Sequence, residues 1–325
     1  MRHRYSPQPD FQIVPIEKIR LPLNSRDELP PFLAGLQWIW THPTLKAEIF
    51  ALLEAALLAG KKATGRRGLD LWHILVLGVV RLGLDADWDR LEHIANYDML
   101  VRQMLGLPAT PWGDDAKRFA HQTLRDNVAL LDDRLLQKIN ARVAATGREV
   151  FAKEGGAPLA ALQLKTDSYL LETDVHFPTD LNLHWDAGRK CVDQSVPVAD
   201  RLLGRYGPGQ IASLSFDKGF TRAEDRELLR LHVPTVVMPQ RGKKSAADTA
   251  REGAKRFAAL RRQHSAVESD IHSLERHGLN RCLDVGLAGC LRYVGYGVLS
   301  YNLHVIGREL LGRGRGGAAP LRLAA

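Results

Sequence analysis

Three acidic side chains stand where a divalent cation would use them. Asp167 lies within an alternating stretch, LQLKTDSYLLE (162–172). Asp217 closes a second apolar stretch, IASLSF (211–216), and is followed by Lys218 and Gly219. Glu268 follows a third, PTVVM (234–238), in a region of helical spacing. Ligand sites in parallel sheets form beyond the carboxyl ends of the strands, and a glutamate on a helix packed at that edge completes a cluster. Carboxylate oxygens are hard ligands that suit Mg²⁺ or Mn²⁺. Two such ions about 3.5–4 Å apart activate an attacking water or 3′-hydroxyl and stabilise the leaving oxygen of a phosphoryl transfer. Each acid alone has a plainer reading: an Asp at a strand end is commonly a turn former or a helix cap, and a Glu on a helix is commonly a solvated face.

The elements that must carry these residues are legible from period. Residues 1–31 are punctuated by proline. Helical spacing runs through 43–58, 69–82, 88–95, 99–105 and 116–143, with turns at Gly65, Gly68, Gly106 and Pro108. Near Leu159 the period changes to strand-like alternation. Strands are expected at 162–172, 210–216 and 234–238, interleaved with helices at 196–206, 223–231, 246–263 and 266–276 and closed by a helix at 287–311. An all-helical segment followed by strand–helix alternation predicts a helical N-terminal domain (1–150) and an α/β domain (151–311) with a reduced, mainly parallel sheet. The glycine- and arginine-rich residues 312–325 read as a disordered basic tail.

Composition narrows the function. The chain has 325 residues, 45% hydrophobic and 25% charged, enough for a sizeable core in two domains. Its 3 cysteines, Cys191, Cys282 and Cys290, form no CxxC and argue against a disulfide framework or a structural zinc. The most apolar stretch, 69–84, is interrupted by Asp70, His73 and Arg81 and is too short and polar to span a bilayer. With no signal peptide visible, a cytoplasmic, nucleoid-associated protein without a membrane partner is expected. The net charge is +8, and residues 241–325 carry 15 Lys and Arg against 7 Asp and Glu. A basic region of that kind suits a polyanion, or simply keeps the protein soluble.

Three blocks, KTDSYLLETDVHFPTDLNLHWDAGRKC (165–191), SLSFDKGF (213–220) and HSAVESDIHSLERHGLNRC (264–282), resemble the ISNCY-type branch of bacterial DDE transposases. RYVGYGVLSYNLHVIG (292–307) is similar to that branch's closing helix, and 65–107 to the helical domain preceding its core. The resemblance covers nearly the whole chain, in order. It implies an RNase H-like core, a homo-oligomer acting on the double-stranded DNA of element ends and target, and Mg²⁺ as cofactor, with Mn²⁺ a possible substitute. It assigns catalysis and metal binding to Asp167, Asp217 and Glu268. Asp174 and Asp180 match family positions as substrate-side or structural residues. Arg261, His264 and Glu275 stand where relatives frame the glutamate with tyrosine, arginine and lysine.

DNA contacts are expected at Arg66 and Arg67 beside a helix start, at Lys218, at Lys243 and Lys244 in QRGKKS, and at Arg261; a solvated turn or plain surface is the other reading of the loop residues. His176 and His264 read as metal ligands or, more simply, as hydrogen-bonding groups. Trp38, Trp40 and Trp72 read as core. The chief departure from the family is spacing. Asp167 and Asp217 are 50 positions apart, far fewer than in relatives, so an internal deletion is expected to leave the first catalytic strand on a sheet edge. That favours a DNA-binding remnant, competing with intact relatives, over an active transposase; a simple metal-dependent nuclease is the third reading.

Overall fold

A computed structural model describes residues 2–5, 13–60, 68–110, 117–151, 162–167, 171–173, 195–207, 209–218, 220 and 222–314. The chain divides into two compact units. One, the helical unit, comprises 1–153, 171–174 and 273–325; the other, the sheet unit, comprises 154–170 and 175–272. No helix among the described residues is long and apolar enough to cross a membrane.

In the helical unit, α1 (Leu29–Thr41), α2 (Pro43–Leu57), α3 (Leu71–Gly83), α4 (Trp88–Tyr97), α5 (Met99–Met104), α6 (His121–Val128) and α7 (Asp133–Val150) precede the sheet in sequence. Prolines in the first turn start α1 and α2, where a missing N–H costs nothing. Asp87, Asp98 and Asp132 cap α4, α5 and α7, each accepting a backbone N–H three residues on at 2.7–2.9 Å. The cap at Asp132 splits the single helix expected over 116–143 into α6 and α7. Every residue of α3 is buried, as its nearly unbroken apolar run LWHILVLGVV requires.

The closing helix, α13 (Gly286–Gly314), packs against α1, α3 and α7. This corrects the expectation that residues up to 311 belong with the sheet, and 312–314 are helical rather than tail. The reason is a close crossing made by glycine. A Cβ on Gly307 would lie 1.9 Å from the Pro31 carbonyl oxygen, and one on Gly35 would lie 2.4 Å from that of Leu303. Only bare backbone fits there, so α1 and α13 interlock. A short parallel pair also belongs to this unit: β2 (Glu172–Thr173) with β5 (Arg281–Cys282). The strand expected over 162–172 therefore ends at Thr166.

The sheet unit contains β1 (Leu162–Thr166), α8 (Ser195–Tyr206), β3 (Ile211–Phe216), α9 (Ala223–Arg230), β4 (Thr235–Val237), α10 (Ala246–Gly253), α11 (Lys255–His264) and most of α12 (Ala266–Leu274). Its three strands are parallel in the order β1-β3-β4. Leu164, Leu214, Phe216 and Val236 form a cluster with Ala199 of α8 and Leu229 of α9 on one face. On the other face Val237 packs with Phe257 and Leu260 of α11. The expected α/β character and parallel sheet are thus present. Among the described residues β1 pairs with β3 alone and lies at the edge.

Candidate functional site

Alternation along the strands decides which way the acids point. Leu162 and Leu164 of β1, and Leu214 and Phe216 of β3, belong to the α8–α9 cluster. The intervening residues, Lys165 and Asp167, and Ser213, Ser215 and Asp217, therefore share the opposite side. The register pairs Lys165 with Ser215 and Thr166 with Phe216. One step further on, Asp167 and Asp217 follow side by side at the carboxyl ends of neighbouring parallel strands, which are about 4.8 Å apart. Asp167 is half-buried and Asp217 exposed.

The third acid is delivered by a helical corner. Phe257, Leu260 and His264 recur at i, i+3 and i+7 on α11, so the stripe that packs on the sheet ends in His264. Ser215 Oγ lies 3.0 Å from His264 Nδ1. The chain turns at Ser265, whose hydroxyl donates to the Arg262 carbonyl at 2.8 Å, and α12 begins at Ala266. Glu268 occupies the first turn of α12, where the helix dipole favours negative charge, and is exposed.

His264 sits in the field of all three acids. Burial holds its imidazole below the ordinary histidine range, while Asp167, Asp217 and Glu268 each pull it upward and Lys165 pushes it down. Its Nε2 is buried and has no hydrogen-bond partner among the described residues. Acids on β1, β3 and α12 thus each act electrostatically on one ring. The donor set has the hard oxygens that Mg²⁺ or Mn²⁺ takes. As placed, no three His, Cys, Asp or Glu side chains among the described residues are close enough together to hold a metal ion.

The expected DNA contacts fare differently from one another. Arg66, Arg67, Asp174, His176 and Asp180 lie outside the described residues. Lys218 and Lys243 are exposed. Lys244 and Arg261 are engaged within the unit: Lys244 Nζ is 2.8 Å, and Arg261 Nη1 3.6 Å, from Glu252 Oε2. The Glu252 side chain is only 5% exposed, and its other oxygen accepts the Gln240 N–H at 2.7 Å. The basic excess of 241–325 is divided between the two units, and Arg251, Arg276, Arg292 and Arg313 pair with Asp248, Glu28, Asp284 and Glu309.

Two features escape a reading of the sequence. The buried ion pair of Arg81 on α3 with Asp284, at 2.8 Å, joins residues 203 positions apart. The Ser215–His264 bond is the other; its one sequence signal is a pair of serines at alternate positions of an otherwise apolar strand. Compared with models of known protein families, with curated proteins and with solved structures, the chain matches none of them.

Proposed function

We propose that this protein acts on double-stranded DNA as a metal-dependent transposase of the DDE class, with an RNase H-like core built on the β1-β3-β4 sheet. One observation carries the reading: Asp167 and Asp217 end adjacent parallel strands on the face where Glu268 and His264 stand, and all three carboxylates act on that one histidine. A bound divalent cation pair would supply charge stabilisation at the attacking and leaving oxygens of a phosphodiester. The protein's own part is to present the carboxylates on rigid elements, with Lys218 at the edge for the phosphate backbone. Arg66, Arg67 and Lys243 extend that contact, and the active form is a homo-oligomer on the ends of an insertion element in the cytoplasm.

A second reading, a DNA-binding remnant, is favoured by the edge position of β1. An edge strand is paired on one side only, and misplacing a catalytic group by about 1 Å costs on the order of a hundredfold. Strand transfer is therefore expected to be weak even where nicking survives. The deciding experiment incubates the protein with terminal-end DNA in Mg²⁺ or Mn²⁺ and measures cleavage at the element ends. Ion-dependent nicking lost in Asp217→Asn supports the transposase. Binding with no nicking in either ion supports the remnant.

A further inference from the structure

We propose that Ser215 and His264 form a brace that sets Glu268 against Asp217, making His264 a positioning residue of the carboxylate site. The proposal rests on taking that site as the working centre of the protein.

Ser215 is 3% exposed and lies near the end of β3, the central strand of the sheet. A hydroxyl buried there costs free energy unless it is bonded, and an alanine would cost nothing. Its partner is His264, 49 positions away on the last turn of α11. From this joint the chain reaches each acid by a short path. Asp217 is two residues beyond Ser215 at the end of the strand. Glu268 is four residues beyond His264, past the corner at Ser265. The bond therefore fixes the strand end and the helix start to one point, where the hydrophobic contacts of Phe257 and Leu260 set only the general lie of α11.

The imidazole is more than a strut. With Nδ1 held by Ser215, the ring plane is set and Nε2 is aimed away from the strand. That nitrogen is buried and unpartnered among the described residues, within the field of Asp167, Asp217 and Glu268. It offers whichever carboxylate turns toward it a hydrogen-bonding partner of fixed position. Removing the brace leaves each acid on its own element but loosens the distance between elements, on which a shared site depends.

The test reads position directly. The full-length chain carrying Asp217→Cys and Glu268→Cys is treated with a short bismaleimide, and the bridged peptide is quantified by mass spectrometry, so that the native cysteines need not be changed. Bridging is expected in the otherwise native chain, to slow about tenfold or more with Ser215→Ala or His264→Ala, and to recover largely with His264→Asn, which keeps a hydrogen-bonding atom near the Nδ1 position. Absence of bridging in the otherwise native chain, or equal rates with and without Ser215→Ala and His264→Ala, overturns the proposal. If one alanine variant fails to fold, the other, compared with His264→Asn, decides it. A parallel nicking assay in Mn²⁺ should show kcat falling in Ser215→Ala with KM for DNA unchanged. Brace-dependent bridging without nicking in any ion keeps the brace and removes the phosphoryl-transfer reading. Nicking that needs the three acids but ignores Ser215 and His264 removes the brace and keeps that reading.

Discussion

The two units spend their buried polar groups differently. In the helical unit Arg81, 2% exposed, meets a 6% exposed Asp284, and its guanidinium lies over the Trp88 ring at 3.7 Å. The His277 and His304 rings lie 4.6 Å apart in a tilted contact, with Phe32 against both. These groups are enclosed, and each helps to lock one helix to another. In the sheet unit the buried Glu252 is met by Lys244 and Arg261, each 39% exposed, and two of the three candidate acids, Asp217 and Glu268, face solvent. The Arg81–Asp284 pair of the first unit is enclosed and holds the fold, whereas Asp217 and Glu268 of the second face solvent. A site for a polyanion needs the second arrangement.

The sharpest break of this contrast is Asp284→Ala. It strands the buried Arg81 cation and should destabilise the protein by about 3–5 kcal/mol, measured by urea unfolding. A loss below about 1 kcal/mol, the range of surface pairs, would place that ion pair with the surface and erase the difference between the units.

Acid should act next, and through the helical unit. Burial first, then His277 and Arg308, lowers His304 to about 3, and burial likewise lowers His277. The folded state therefore binds these protons less readily than the unfolded chain, whose histidines titrate near 6.5. The associated stability is fully present above about pH 6.5 and declines as pH falls toward about 3. Unfolding free energies measured between pH 7.5 and 4.5 should show this slope, and His304→Leu should flatten it. A slope unchanged in His304→Leu would assign it elsewhere.

Smaller effects belong to the sheet unit. Glu252→Ala removes an acceptor for the Gln240 N–H but frees cations that already reach solvent, so a loss of about 1–2 kcal/mol is expected. Smallest of all, Glu268→Gln and Asp217→Asn should shift stability by no more than about 0.5 kcal/mol, because both side chains are exposed. Thermal melts of the purified variants check each.

The contrast also explains what the sequence reveals. The type of an element follows from local period, so α3, β3 and β4 are readable from LWHILVLGVV, IASLSF and PTVVM. The break between α6 and α7 is carried by one residue, Asp132, whose capping role is decided in competition with the helical spacing on either side. Partner choice is not local. That α13 joins α1 rather than the sheet depends on Gly35 and Gly307 meeting across a crossing, and neither glycine declares this in sequence. The carboxylates were legible because strand ends and residue type point to them. The joint between Ser215 and His264 was not, because it is a tertiary bond between side chains that each have commoner uses.

If Asp167, Asp217 and Glu268 form one site acting on DNA, they should behave as a unit. Residues that act as a unit are strongly non-additive. The most direct measurement compares Mn²⁺-dependent nicking of end DNA by Asp167→Asn, Asp217→Asn, Glu268→Gln and the triple variant, with DNA affinity measured alongside. Each single variant should lose about as much activity as the triple, with binding retained. Single losses that multiply independently toward the triple, or a single variant that nicks as fast as the native chain, would contradict a shared site.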